Sequence, residues 1–309
     1  TEIENPRPAR TKVSKVKGMT LSKKTTARDR AQQMIEEEGL PVEERKPRTS
    51  QSSSARAMDE IEINQPQPPT DGTLIKFSEV MKGSVSRLGT IEKFSIEGRL
   101  IAESSEPGQY AIQMNFTGNS DKFNTRAFNQ KDRKLFTQEK RLIFDSGKSE
   151  ITLLGWRYMS KEADLPLSFS CWVTEDNQQS TFVCEVTQML DNMNFDSCIL
   201  TIPVKRVNEC EIIKNDGETK MSLRDSLLQW TITGDDINSQ KKAEIEFTAP
   251  LANEDDFFPI NVEFVANSSY LDADVVSVAK IDANGNYDFN NPSKFEVYKC
   301  FSTTDFQIF

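Results

Sequence analysis

From residue 71 onward, apolar and polar positions alternate with a period of two. The runs Phe94–Leu100, Tyr110–Met114, Leu167–Trp172, Thr181–Val186, Ala243–Phe247 and Ile260–Val265 carry this alternation. Their β-branched and aromatic residues suit a pleated, half-buried surface. The pairs Asp71-Gly72, Asp216-Gly217 and Asn284-Gly285 lie between such runs, and pairs of this kind favour tight hairpin turns. About 240 residues of this pattern predict an all-β assembly of two sub-sandwiches.

The pattern is absent from residues 1–70. That segment has no aromatic residue, holds seven of the 13 prolines and contains the polar run Thr49–Ser54. It cannot bury enough apolar surface to offset its ordering entropy, so it reads as a flexible linker. One helix is predicted within it, near residues 27–38. Thr26 is its N-cap with Asp29 three places on, and Gly39 and Pro41 stop it. Ala31, Met34 and Ile35 form its narrow apolar face, too narrow to hold a helix alone. Those three residues are therefore the candidate contact with a partner. The stretch before the helix carries a net charge of +6 through Arg28, which suits an anionic membrane face, an acidic protein groove or a solvated linker.

Over the whole chain Lys plus Arg is 38, Asp plus Glu is 48 and the net charge is −10. That balance disfavours general nucleic-acid binding, which needs a phosphate-neutralising surface. Histidine is absent, which excludes Ser-His-Asp and Cys-His catalysis and His-ligated zinc. Cys171, Cys184, Cys198, Cys210 and Cys300 are odd in number and mostly set in apolar runs. They read as reduced core thiols. The acidic pairs Asp235-Asp236 and Glu254-Asp255-Asp256 read as loop charges and lack the spacing of a calcium loop. No Gly-rich phosphate cradle occurs. A third class, a carbohydrate-active β-sandwich enzyme, rests only on the abundance of carboxylates. The expectation is a binding module with no catalytic residue, cofactor or metal. Thr1 follows no signal-peptide pattern, and the reading is of the C-terminal piece of a longer chain.

Several strings occur in a telling order: Lys134-Leu135-Phe136-Thr137, Trp156-Arg157, Leu165–Trp172, Leu200-Thr201-Ile202-Pro203, Asp216-Gly217-Glu218, Leu228-Gln229-Trp230 and Asp256–Val262. Together they resemble the mu-homology domain of coatomer delta subunits (delta-COP), from the COPI vesicle coat. Gly18–Lys24 and the helix after it resemble the linker of that family. The resemblance implies an elongated β-sandwich of two subdomains after the linker. Subdomain A would be 71–164 plus 268–309, and the inserted subdomain B 165–267. It implies a non-enzymatic coat subunit acting in Golgi-to-endoplasmic-reticulum retrograde transport. The implied location is the cytoplasm, peripherally on Golgi membranes and COPI-coated vesicles. The implied partners are other coatomer subunits (beta-COP closest) and an Arf-family GTPase through the assembled coat. Peptides with tryptophan motifs, from tethering factors and Arf GTPase-activating proteins, complete the set.

Medium chains of clathrin adaptors form the alternative, since they bind Tyr-x-x-Φ signals with an Asp in the first strand and a Trp-x-Arg near the end. At those places this chain has Lys76 and Val297-Tyr298-Lys299, so a cation replaces the acidic acceptor of that pocket and its aromatic wall is gone. A tryptophan peptide needs an apolar pocket or a free sheet edge. The candidate segment is Val204–Lys214. Adjacent Ile212 and Ile213 would project to opposite faces of a strand, with Lys205 and Lys214 available to acidic residues of the peptide.

Overall fold

A computed structural model describes residues 72–117, 120–146, 150–176 and 178–309. The linker of residues 1–70 and the predicted helix carrying Ala31, Met34 and Ile35 lie outside the described residues.

The described residues are mainly strands, as the alternation predicts. The first group is β1 (Thr73–Val85), β2 (Ile91–Ser104), β3 (Gln109–Phe116), β4 (Asn124–Ala127), β5 (Arg141–Asp145) and β6 (Ile151–Met159). Next come β7 (Leu167–Glu175), β8 (Gln179–Gln188), β9 (Phe195–Pro203), β10 (Glu211–Asn215), β11 (Glu218–Ser222) and β12 (Leu227–Thr233). The last are β13 (Lys242–Pro250), β14 (Ile260–Ala266), β15 (Ala273–Lys280) and β16 (Phe295–Ile308).

Two helices interrupt them, α1 (Gln130–Glu139) and α2 (Gly234–Gln240), and neither was expected. In α1, Lys134-Leu135-Phe136-Thr137 looks strand-like, yet Asp132 and Phe136, one turn apart, are buried on one face. Phe136 meets Phe116 of β3 edge-on at 5.7 Å, a contact made in three dimensions only. The start of α2 did have a local signal, because the Thr233 hydroxyl accepts from the Asp236 N–H as an N-cap.

Three sheets result. A nine-stranded sheet runs β11-β12-β9-β14-β16-β1-β2-β6-β4, a four-stranded sheet β10-β13-β8-β7, and a three-stranded sheet β15-β3-β5. The large sheet is continuous, with β14 pairing with both β9 and β16. Among the described pairings only β1–β16 is parallel. The last strand therefore wedges between β14 and β1.

One apolar cluster fills the interior and draws on all three sheets. It is closed by ring contacts such as Phe169 of β7 with Phe306 of β16, 5.9 Å apart. β1 shows how pattern becomes packing: Ile75, Phe77, Glu79 and Met81 are all buried, two residues apart. The Glu79 carboxylate accepts from Trp156 Nε1 at 2.8 Å, the Tyr270 N–H at 2.6 Å and the Leu271 N–H at 3.1 Å. It thereby ties β1 to β6 and to the turn before β15.

Cys171, Cys184 and Cys198 are buried and Cys210 and Cys300 half-buried, all as free thiols. Burial pushes the Cys198 thiol well above its usual range, so it stays protonated and inert.

Candidate functional site

The segment Val204–Lys214 leaves β9, passes through one 3-10 turn at Val207–Glu209 and enters β10. β10 is an edge strand of the four-stranded sheet. Its pairing with β13 matches Ile212 to Phe247 and Lys214 to Glu246, so Ile213 sits in a β-bulge. A bulge re-aims a side chain and bends the strand. Ile212 is half-buried and packs against the apolar cluster, and Ile213 is 56% exposed.

The two lysines are not brought together. Lys214 Nζ lies 2.9 Å from Glu244 and 4.0 Å from Asp216. Its hydrogen bond to Glu244 raises the ammonium's pKa above 10.5. Lys205 Nζ lies 2.8 Å from Asp256, at the 3-10 turn Glu254–Phe257. That hydrogen bond lowers the Asp256 pKa below 3.8. Both cations are thus paired with carboxylates of the chain itself, which the sequence did not show.

The positions of the tyrosine-signal pocket are also occupied. Lys76 of β1 is the register partner of Tyr298 of β16. Its ammonium is ion-paired to Glu150 at 2.6 Å. A cation stands where the tyrosine reading needs an acceptor, and Lys299 is tied to Asp274 and lies 5.6 Å over the Phe77 ring.

A groove the sequence reading missed opens on the large sheet, where β1, β2, β6 and β16 end near Lys82, Lys93, Met159 and Phe309. Its volume is about 680 Å³, within the ~300–1,000 Å³ range of ligand clefts. Only the pairing of distant strands assembles it.

Among the described residues no group of three or more Cys, Asp and Glu side chains could hold a metal ion. No helix among them is long and apolar enough to cross a membrane.

The profile of the adaptor complexes medium subunit family matches residues 64–308. The chain belongs to that family. Its members are structural components of coats. Within the family, the chain is similar to coatomer delta subunits. It is 26% identical to coatomer subunit delta-1 of Oryza sativa subsp. japonica, over 98% of this chain and 56% of that protein. It is 27% identical to coatomer subunit delta of Arabidopsis thaliana, over 88% of this chain and 51% of that protein. The chain thus spans little more than half of either relative. The yeast delta-COP-I mu-homology domain has the same fold, with a TM-score of 0.63 and 19% identity over 79% of this chain and 100% of that one. The same yeast domain complexed with a Dsl1 WxWxV peptide superposes with a TM-score of 0.61, at the same coverage.

Proposed function

We propose that this medium-chain domain belongs to a COPI coat subunit of the delta type. It acts without catalysis in Golgi-to-endoplasmic-reticulum transport, from the cytoplasmic face of Golgi membranes and vesicles. It docks tryptophan-bearing peptides of tethering factors and Arf GTPase-activating proteins, while other coatomer subunits, beta-COP foremost, and an Arf-family GTPase engage the assembled coat. The likeness to coatomer delta subunits supports the coat role. The yeast domain's complex with a WxWxV peptide supports the ligand class. The four-stranded sheet, built from strands between Leu167 and Pro250, supports reading 165–267 as an inserted subdomain B, with 71–164 plus 268–309 as A.

The observation that carries the peptide site is Ile213, an exposed aliphatic side chain at a bulge on a free strand edge. An extended peptide can add its backbone to such an edge while an indole covers the isoleucine. Lys214 and Lys205 keep their own carboxylates, and each ammonium has three donors with which to reach an acidic flank of the peptide.

Ile213→Ser is expected to weaken binding of a Trp-x-Trp peptide about thirtyfold, with an unchanged melting temperature; interface anchors of this kind carry ~2 kcal/mol. Ile212→Ser, by contrast, places a hydroxyl where an aliphatic side chain packs against the core, and lowers the melting temperature by a few degrees for each ~1 kcal/mol lost. Fluorescence anisotropy and thermal melts on the two variants check this. An Ile213→Ser protein that binds like the parent moves the site elsewhere.

Binding should also be nearly flat from about pH 5.5 to 8, where histidine is the side chain that ordinarily titrates. The chain has none, and the Lys214 and Asp256 shifts lead away from that window. A steep change in affinity across it, measured by titration calorimetry, would contradict this site.

A further inference from the structure

Strand register places two rows of side chains on one face of the large sheet. Ser84 is opposite both Lys93 and Gln307, and Ser95 is opposite both Lys82 and Met159. Partners across a ladder project to the same face, so both rows share the side away from buried Met81, Val85, Phe94 and Ile96. Lys161, just past β6, and Phe309, just past β16, complete the groove. No strand or helix covers it among the described residues. Met159 is 63% and Phe309 45% exposed.

The charges at this place run against the character of the chain. Seven described lysines are neutralised by a carboxylate: Lys76, Lys205, Lys214, Lys241, Lys242, Lys280 and Lys299. Lys82, Lys93 and Lys161 make no ion pair, hydrogen bond or ring contact, and only Lys122 and Lys134 share that condition among the described lysine side chains. An acidic protein with net charge −10 therefore gathers three of its uncommitted ammonium groups around two exposed apolar side chains.

We propose that this groove is a second docking surface, whose occupant is an acidic peptide segment carrying an apolar side chain. The ammoniums would meet the peptide's carboxylates, with Met159, adaptable in shape, and Phe309 covering the apolar side chain. Glu92 and Asp305 also line the groove. Among the side chains that line it they leave one net positive charge, which suits a short segment of mixed character. An anionic bilayer would instead hold those two carboxylates against its own charge.

The test uses the 309-residue protein and a fluorescein-labelled Glu-Glu-Leu-Phe-Glu peptide, which lacks tryptophan and so reports on this groove separately from β10. The expected result is saturable binding that weakens as salt is raised. The double variant Lys82→Glu, Lys93→Glu should lose about tenfold or more in affinity through like-charge repulsion. The double variant Lys122→Glu, Lys134→Glu and the single variant Ile213→Ser should bind as the parent does. A parent that ignores the peptide, or a groove variant that binds it unchanged, overturns the proposal. So does a parent that binds phosphatidylserine vesicles through these lysines and not the peptide, which would make the face a membrane contact.

Discussion

Glu79→Ala lowers unfolding free energy by on the order of 3–5 kcal/mol, because each buried donor left without an acceptor costs ~1–3 kcal/mol. Three donors converge on that carboxylate, from Trp156, Tyr270 and Leu271. Glu79 itself is 1% exposed, so bulk water does not reach those donors. Glu79→Gln keeps the volume but turns an amide NH2 toward N–H donors whichever way it is flipped, and should cost less than Ala while remaining clearly destabilising.

The pH dependence separates the variants. Burial pushes the Glu79 carboxyl above its ordinary 4.5, with the Trp156, Tyr270 and Leu271 donors opposing the shift. Between 4.5 and its raised folded value, the native state binds more protons than the unfolded state. The Glu79 contribution to stability therefore declines as pH rises through that window. Denaturant unfolding at several pH values should show this slope in the parent and not in Glu79→Gln. Equal slopes in the two proteins would remove Glu79 as its source.

Gly98→Ala is expected to cost about 3 kcal/mol, at the upper end of overpacking penalties. Glu79, Gly98 and Trp156 form one row across β1, β2 and β6. The indole reaches the Glu79 carboxylate by lying over Gly98. A Cβ there would stand 2.2 Å from Trp156 Nε1 and Cε2. Trp156 cannot swing aside cheaply, since it is buried, hydrogen-bonded to Glu79 and 6.1 Å from the Phe77 ring. The clash should therefore take the hydrogen bond with it. A thermal melt measures the loss, and the double variant Gly98→Ala, Trp156→Leu distinguishes the cause. If the indole is what the new methyl strikes, the two substitutions together should cost less than the sum of their separate effects. Strict additivity would place the strain in the backbone of β2 instead.

The sequence determined what depends on nearest neighbours. Alternation of period two marked β2, β3, β7, β8, β13 and β14, because adjacent side chains on a strand must face opposite ways wherever one face is buried. Asp216-Gly217 and Asn284-Gly285 announced turns for the same local reason, and both glycines adopt positive φ. Ile212 and Ile213 had to diverge if they lay on a strand. Which one entered the core was not legible, since that depended on β13 arriving beside β10 and on the bulge that turned Ile213 outward. Helix α1 was hidden because Phe136 needs Phe116, a residue from another element, to make the helical face worth burying.

Glu79 shows the division most plainly. Its parity with Ile75, Phe77 and Met81 pointed it inward, but its donors lie 77, 191 and 192 residues further along the chain. Lys82 and Lys93 likewise look like ordinary surface lysines until the ladders of β1, β2 and β6 align them with Met159. Local sequence dictates backbone conformation and the side each residue faces, because those are settled within a few bonds. Pairing order dictates which charges meet and which remain open, because it joins residues whose separation along the chain carries no periodic signal. That long-range pairing is what gave Lys205 and Lys214 carboxylate partners and left Lys82, Lys93 and Lys161 without any among the described residues.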